Sequence, residues 1–178
     1  MRISPIEQPP TLFMRFVYWM SKRKLGKVIT PIKTLYARKP GWLWVSQLFE
    51  HIQKTQLKLP KLDGFLYKAY VAHLNNCSFC EDIAQALALS KKLDIRKFKH
   101  FDEPDAPGIY TDAERTAFRY LEEANRTRNV SDETFAQMQQ HFSEEAILEI
   151  TWLLAVENYY NVLNKAFGIT SDELCLLQ

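Results

Sequence analysis

Apolar residues recur at intervals of three and four along almost the whole chain, whereas the alternation of apolar and polar residues that marks strands is scarce. Intervals of three and four place side chains on one face of an α-helix. Residues that begin or end helices fall between the periodic segments. The sequence therefore predicts an all-α protein.

Five helices are predicted in the first half of the chain. Capping residues, glycine and proline place them at about 11–24, from Thr30-Pro31 to Pro40-Gly41, and at 42–54, 60–74 and 77–89. The helix at 42–54 carries apolar residues that we expect to be buried: Trp42, Val45, Leu48, Phe49 and Ile52.

Three further helices are predicted in the second half. Thr111-Asp112-Ala113-Glu114 is a capping box that opens a helix ending near residue 127, and Ser131 and Ser143 are predicted N-caps of helices at 132–141 and 144–167. Gly168 follows where a left-handed backbone is needed. The last helix also carries side chains that we expect to serve core packing and interhelical hydrogen bonding: Asn158, Tyr159, Tyr160, Asn161 and Asn164.

The domain organisation follows from the length and from one change in composition. A chain of 178 residues, 47% of them hydrophobic, suits one domain with a substantial core. We predict an N-terminal helical extension at 1–40 and a helical domain at 41–178. Residues 91–108 are charged and then rich in Pro and Asp, so they are predicted to form a linker between the halves of this domain, kept extended by Pro104 and Pro107.

Charge is distributed unevenly along the chain. Up to residue 60, eleven Lys and Arg face two Glu, a balance of +9; from residue 101 onward, five Lys and Arg face fifteen Asp and Glu, a balance of −10. Opposite charges favour attraction between the halves or between subunits. The basic part is aromatic and periodic rather than Gly- or Arg-rich, so no nucleic-acid partner is expected.

Other classes of function have little basis in the sequence. Five glycines occur and none form a Gly-rich nucleotide or dinucleotide loop. The apolar stretch from Leu12 to Met20 contains Arg15 and is too short to span a membrane, although an amphipathic helix at a membrane surface is an alternative. Three cysteines without a signal peptide indicate a reducing compartment, and the cytoplasm is the expected location.

The pair in Cys77-Ser78-Phe79-Cys80 is the feature best suited to chemistry, because it follows Asn-Asn at the start of a predicted helix. If Asn76 is the N-cap, both sulfurs lie in the first turn, where free N–H groups and the helix dipole favour a thiolate. This spacing also brings two sulfurs within reach of a disulfide. The alternatives are two buried structural cysteines, or half of a zinc site completed from His73, His100 or Cys175.

Several segments resemble the alkylhydroperoxidase D-like branch of the carboxymuconolactone decarboxylase family. The first runs from Tyr67 through Ala-Tyr-Val-Ala-His-Leu-Asn-Asn into Cys-Ser-Phe-Cys. Others are Tyr-Thr-Asp-Ala-Glu-Arg-Thr-Ala from Tyr110, His-Phe-Ser-Glu-Glu-Ala-Ile-Leu-Glu from His141 and Asn-Tyr-Tyr-Asn-Val-Leu-Asn-Lys-Ala-Phe-Gly-Ile from Asn158. The similarity extends from about Arg38 to the end of the chain.

This resemblance implies an all-helical, homo-oligomeric thiol peroxidase of antioxidant defence. One thiolate, here Cys80, attacks the peroxide and becomes a sulfenic acid, and Cys77 then condenses with it to a disulfide. The implied partners are a peroxide substrate and a dithiol reductant. No cofactor and no metal ion are implied.

The chain departs from the family at its proton relay, because the positions of the family's Glu and two His are occupied by Phe65, Ala84 and Phe79. General acid–base catalysis contributes about 100-fold to 10,000-fold to a rate. The site is therefore predicted to consist of Cys77, Cys80 and His73, with His73, Glu81 or Asp82 taking over the relay. The alternative is a non-enzymatic or redox-sensing protein that has lost the relay.

Overall fold

The computed structural model describes residues 1–177, and this part of the chain folds into helices joined by loops, without a β-strand. The all-α prediction is confirmed. The α-helices are α1 (Leu12–Leu25), α2 (Trp42–Thr55), α3 (Lys61–Leu74), α4 (Ser78–Ser90), α5 (Asp112–Thr127), α6 (Asp132–Gln139) and α7 (Glu144–Ala166). A π-helical turn at Ile32–Tyr36 and 3-10 turns at Ile95–Phe98 and Leu174–Leu177 complete them.

The capping residues of the second half act as predicted. Thr111 and Glu114 form both halves of the capping box of α5. Ser131 and Ser143 accept a hydrogen bond from the backbone N–H three residues further on, at the starts of α6 and α7. Gly168 has φ 64° just beyond α7. Local side-chain chemistry therefore sets these helix ends.

Helix α3 lies at the centre of the fold and packs against α4, α5 and α7. Its Tyr70 stacks on Phe118 of α5 with ring centroids 4.0 Å apart. Burial of such aromatic and aliphatic side chains is the main favourable contribution to folding. The most deeply buried members of this core are Leu66, Tyr67, Val71, Ala88, Phe98, Ala117, Phe118, Leu121, Met138 and Ile150.

A second, smaller core surrounds the cysteine pair and joins the two ends of the chain. Leu35 and Ile169 are buried in it, and Ile3 and Ile29 pack against it from the N-terminal segment. The backbone N–H of Arg2 donates to the carbonyl of Phe167 at 2.8 Å. The N-terminal segment therefore lies over the region that contains the cysteines.

The expected burial along α2 is wrong for three of its residues. Trp42, Val45 and Leu48 are 39%, 38% and 54% exposed, because no other part of residues 1–177 covers this face. Phe49 is half-buried and makes edge-on contact with three aromatic side chains of α7, namely Trp152, Tyr159 and Tyr160. Helix α2 thus packs against α7 through one face, and its other apolar face is exposed.

Residues 91–108 connect α4 to α5, but they are not the extended linker that was predicted. A 3-10 turn at Ile95–Phe98 folds the segment back, and Phe98 and Phe101 are buried in the main core. Tyr110 donates a hydrogen bond to the carbonyl of Lys97 at 2.7 Å. Burial of these two aromatic side chains and this hydrogen bond hold the charged segment against the domain.

No helix within the described residues is long and apolar enough to cross a lipid bilayer.

Candidate functional site

The joint between α3 and α4 positions the cysteine pair. Asn75 ends α3, and Asn76 adopts a left-handed conformation with φ 50°. The N–H groups of Asn76 and Cys77 donate to the carbonyls of His73 and Ala72 at 2.8 and 2.9 Å, which is the Schellman pattern of a helix end. Cys77 is therefore the N-cap of α4, and the prediction that Asn76 is the N-cap is wrong.

Cys77 and Cys80 form a disulfide with their Cα atoms 5.2 Å apart. They are only 1% and 4% exposed. Their surroundings are apolar and come from both ends of the chain, with Leu35, Phe79 and Ile169 buried beside them. No group of three His, Cys, Asp or Glu side chains within residues 1–177 is arranged to hold a metal ion.

The start of α4 favours a thiolate once the disulfide is reduced. The first N–H groups of a helix have no carbonyl partner within it, and the helix dipole adds partial positive charge there. Cys80 lies in the first turn of α4, and Cys77 precedes that turn. Burial acts in the opposite direction, because it raises the pKa of a thiol.

Asn164 of α7 is the polar side chain that contacts the pair. Its amide nitrogen lies 3.4 Å from the Sγ atom of Cys80, and the residue is 4% exposed. The sequence placed Asn164 among residues for packing and interhelical hydrogen bonding, without linking it to the cysteines. No local signal points to this contact, because the two residues are 84 positions apart.

A separate set of amide groups, most of them partly buried, lies at the joint between α3 and α4. The Asn75 amide donates to Asn161 at 2.7 Å and to Asn158 at 3.1 Å. Asn125 of α5 donates to Asn75 at 2.9 Å. Two helices, α5 and α7, are thus hydrogen-bonded to Asn75 at the end of α3, as the prediction of interhelical hydrogen bonding by Asn158 and Asn161 implied.

Glu157 is the buried carboxylate at one end of this hydrogen-bond network. It accepts the Asn161 amide at 2.7 Å and lies 3.8 Å from the ammonium group of Lys68. Burial raises the pKa of the Glu157 carboxyl, and the charge of Lys68 and the Asn161 hydrogen bond oppose this rise.

His73, a predicted site residue, lies at the end of α3 between two carboxylates. Its Nε2 atom is 3.2 Å from Asp102, and its Nδ1 atom is 3.7 Å from Glu81. Within the described residues it makes no hydrogen bond to either sulfur. Glu81 follows Cys77 by four residues, which puts both on one face of α4. The His73–Glu81 pair therefore belongs to the Cys77 side of the site.

Asp82 does not direct its charge at Cys80, contrary to the sequence expectation of a replacement relay. Its buried carboxylate accepts hydrogen bonds from the Ser171 hydroxyl and from the backbone N–H groups of Asp172, Leu174 and Cys175. These bonds fasten the C-terminal tail to α4. Asp82 is thus occupied by the backbone and holds the site together.

The third cysteine, Cys175, lies beside Asp82 in this tail. Its Sγ atom is 3.5 Å from the backbone carbonyl oxygen of Asp82. Burial, followed by the charge of Asp82, raises the pKa of the Cys175 thiol. A raised pKa keeps a thiol protonated and slow to react at neutral pH.

Two clefts of the protein lie away from the cysteine pair. One of about 380 Å³ is lined by the turn before α3 and the start of α7, including Leu59, Asp63 and Glu149. A second lies between α5 and the end of α6. Neither contains a cysteine, so the oxidised pair does not open onto either of these clefts.

Comparison with known proteins finds one relative by sequence and several solved structures of similar fold. No protein-family model matches the sequence. The uncharacterized protein YnjA of Escherichia coli (strain K12) is 26% identical over 177 residues, covering 98% of this chain and 96% of that protein. The crystal structure of the alkylhydroperoxidase AhpD core of an uncharacterized peroxidase-related protein from Ralstonia eutropha matches with a TM-score of 0.77 and 15% identity, covering 96% and 94% of the two chains.

A second solved structure extends the comparison to another reaction. The debrominase Bmp8 in complex with 2,3,4-tribromopyrrole matches with a TM-score of 0.79 and 18% identity, covering 98% of this chain and 93% of that one. At these identities the likeness concerns the fold. The chain therefore has the all-helical fold of the alkylhydroperoxidase D-like, peroxidase-related proteins, as its sequence resemblance implied.

Proposed function

We propose that this protein is a thiol-dependent peroxidase that reduces hydrogen peroxide or an organic hydroperoxide in antioxidant defence, in a reducing compartment such as the cytoplasm. The observation that carries the proposal is the Cys77–Cys80 disulfide at the start of α4. Two thiols at this spacing can give up two electrons to a substrate by forming a disulfide, without a large movement of the backbone. The alkylhydroperoxidase D-like fold supports the same chemistry.

In the first step, the Cys80 thiolate attacks the terminal oxygen of the peroxide. The O–O bond breaks, Cys80 becomes a sulfenic acid, and the leaving alkoxide takes up a proton and departs as an alcohol, or as water from hydrogen peroxide. The peroxide is reduced by two electrons and the sulfur is oxidised by two. The apolar surroundings of Cys80 keep competing nucleophiles away from the sulfenic acid.

In the second step, the Cys77 sulfur attacks the Cys80 sulfenic acid, and the hydroxyl group leaves as water. The thiol proton of Cys77 must be removed for this attack. We assign this task to His73 with Glu81, because Glu81 shares the Cys77 face of α4 and lies 3.7 Å from the His73 ring. A dithiol reductant then restores both thiols.

Burial of the pair limits what reaches it. At 1% and 4% exposure, the sulfurs of Cys77 and Cys80 are accessible to a small peroxide only after a small opening of the surrounding side chains. The N-terminal segment supplies Ile3 and Ile29 to this cover. We therefore expect hydrogen peroxide and compact hydroperoxides to react faster than bulky ones.

The test is peroxide consumption by the purified protein with dithiothreitol as reductant. We expect turnover by the wild type and by Cys175→Ser, which serves as the matched control for loss of one thiol. Cys80→Ser is expected to remove turnover, and Cys77→Ser, assayed without dithiothreitol, to consume one equivalent of peroxide and stop at the sulfenic acid. A wild-type rate equal to that of dithiothreitol alone would leave the non-enzymatic, redox-sensing alternative.

A second candidate reaction is reductive removal of halogen from an aromatic ring. Replacing bromine by hydrogen is a two-electron reduction, and oxidation of a dithiol to a disulfide supplies two electrons. The likeness in fold to the debrominase Bmp8 favours this candidate, but a ring needs a wider opening of the apolar side chains around Cys80 than a small peroxide does. Bromide release from a bromopyrrole under the same conditions distinguishes it from peroxide reduction.

The proposed assembly is a homo-oligomer. Apolar side chains on α1, α2 and α7 lie open in the single chain: Leu12, Phe16, Trp19, Trp44, Leu48, Leu148 and Val162 are 79%, 57%, 52%, 70%, 54%, 70% and 62% exposed. Large apolar side chains exposed in this number are candidates for burial in an interface. The opposite charge balances of the two ends of the chain favour contact between copies.

A further inference from the structure

Resting on the proposed peroxidase function, we infer that Asn164 is a catalytic residue: its side-chain amide donates a hydrogen bond to the Cys80 sulfur and holds it as the reactive thiolate. The distance from the Asn164 nitrogen to Sγ is 3.4 Å. Within residues 1–177, it is the one polar side chain hydrogen-bonded to either sulfur of the pair.

The need for such a donor follows from the burial of Cys80. A thiolate removed from water loses hydration, and this loss favours the neutral thiol. The start of α4 offsets part of the cost through its free N–H groups. Cys80 has no Lys, Arg or His partner for its sulfur among the described residues. A neutral amide donor stabilises the anion without bringing a second charge that would itself need burial.

The backbone around Asn164 is fixed by the end of α7. The N–H of Ile169 donates to the Asn164 carbonyl at 2.9 Å, and Gly168 donates to Lys165 at 3.0 Å. A side chain at Gly168 would meet the Cα atom of Met1 at 3.3 Å. This tight crossing of the two chain ends holds the last turn of α7 in place.

The opposite side of Asn164 is held through its helix neighbours. Lys165 donates to the backbone carbonyl of Asn75, and Asn161 accepts the Asn75 amide. Asn75 is the residue that ends α3 just before the cysteine motif. The donor on α7 and the acceptor on α4 are therefore positioned by the same joint.

The test measures the pKa of Cys80 directly and needs no peroxide. In a Cys77→Ser, Cys175→Ser background, Cys80 is the single thiol. Its titration is followed by the ultraviolet absorbance of the thiolate and by the pH dependence of alkylation with iodoacetamide. The variants are Asn164→Asp, which keeps the shape of the side chain, and Asn164→Leu, which keeps its branching and its number of non-hydrogen atoms but has no hydrogen-bond donor.

We expect Asn164→Leu to raise the Cys80 pKa by about one unit or more, since a hydrogen bond to an ionised group shifts a pKa by roughly one to two units. Asn164→Asp is expected to raise it further, because a carboxylate repels the thiolate. Thr116→Val is the control: it removes a buried hydroxyl on α5, whose hydrogen bond goes to the Asp112 carbonyl, and it should leave the pKa within about 0.3 units.

A Cys80 pKa unchanged in both Asn164 variants would overturn the inference, as would an equal rise in Thr116→Val, which would indicate general disruption. Failure of the proposed function is distinguishable from these results. If the pKa shifts as expected but the wild type consumes no peroxide, Asn164 stabilises the thiolate of a protein that is not a peroxidase. If peroxide is consumed and the pKa does not shift, the peroxidase proposal stands and the role of Asn164 is wrong.

Discussion

The carboxylate of Asp82, two residues after Cys80, accepts the backbone N–H of Asp172 at 2.9 Å. Asp172 in turn accepts the backbone N–H and the hydroxyl of Thr30 at 2.6 and 2.7 Å. The helix that bears the cysteines, the C-terminal tail and the N-terminal segment are therefore joined by one series of hydrogen bonds. This connection accounts for the burial of a pair that begins a helix.

Asp82→Asn is expected to lower the free energy of unfolding by about 1–3 kcal/mol, because an amide replaces one of the two acceptor oxygens and removes the charge. Release of the C-terminal tail also exposes the Cys77–Cys80 disulfide, so dithiothreitol should reduce this disulfide faster. Urea unfolding of the oxidised protein and the rate of thiol release measure these effects. Glu122→Gln, an exposed carboxylate on α5, is the control and should change neither quantity.

His73→Gln is expected to slow formation of the disulfide from the sulfenic acid by about 100-fold or more, the usual contribution of a general base. The first step should be nearly unaffected, because the assigned task of His73 concerns Cys77. Stopped-flow kinetics with trapping of the sulfenic acid by dimedone separates the two steps. His141→Gln, exposed and outside the site, is the control. Equal rates for the second step in wild type and His73→Gln would remove His73 from the mechanism.

Trp44→Glu is expected to convert the homo-oligomer to a smaller species. Trp44 is 70% exposed in the single chain, so its replacement does not disturb the core, while a buried charge in an apolar interface is costly. Light scattering at micromolar concentration gives the mass. Gln47→Glu adds the same charge at another exposed position of α2 and is the control. A wild-type protein that is monomeric contradicts the proposed assembly.

Glu157→Gln is expected to stabilise the protein relative to the wild type increasingly as the pH rises. Burial raises the pKa of Glu157 above its ordinary value of 4.5, so its neutral form favours folding. That stability is present below the ordinary pKa and is lost as the pH rises toward the pKa of the folded protein. Urea unfolding of both proteins between about pH 4 and 8 measures the difference. A difference independent of pH would mean that Lys68 fully compensates the buried charge.

Sequence reasoning succeeded where the cause is local. The Thr111–Glu114 capping box and Gly168 decide helix ends through contacts within a few residues, and the structure contains both as predicted. The expected N-cap role of Asn76 failed because Asn is common both at N-caps and at left-handed helix ends. Here the end of α3 determines the conformation of Asn76.

The exposure of α2 and the contacts of Asp82 and Asn164 depend on distant parts of the chain and were not predicted. An amphipathic pattern indicates that one face of α2 is apolar, but it does not say what covers Trp42 and Leu48. The contacts of Asp82 with Asp172 and of Asn164 with Cys80 join residues 90 and 84 positions apart. No spacing rule relates such positions. The sequence therefore suggested Asp82, two residues after Cys80, as a relay candidate and gave no sign of the contact made by the Asn164 amide.

The count of free thiols before and after one equivalent of hydrogen peroxide tests the central claim most directly. The reduced chain contains three cysteines, and Cys175 is expected to stay a thiol because its pKa is raised by burial. We predict that the count falls from three to one per chain, with a Cys77–Cys80 disulfide found by mass spectrometry of the digested protein. A count that stays at three, or a disulfide that includes Cys175, would contradict the account.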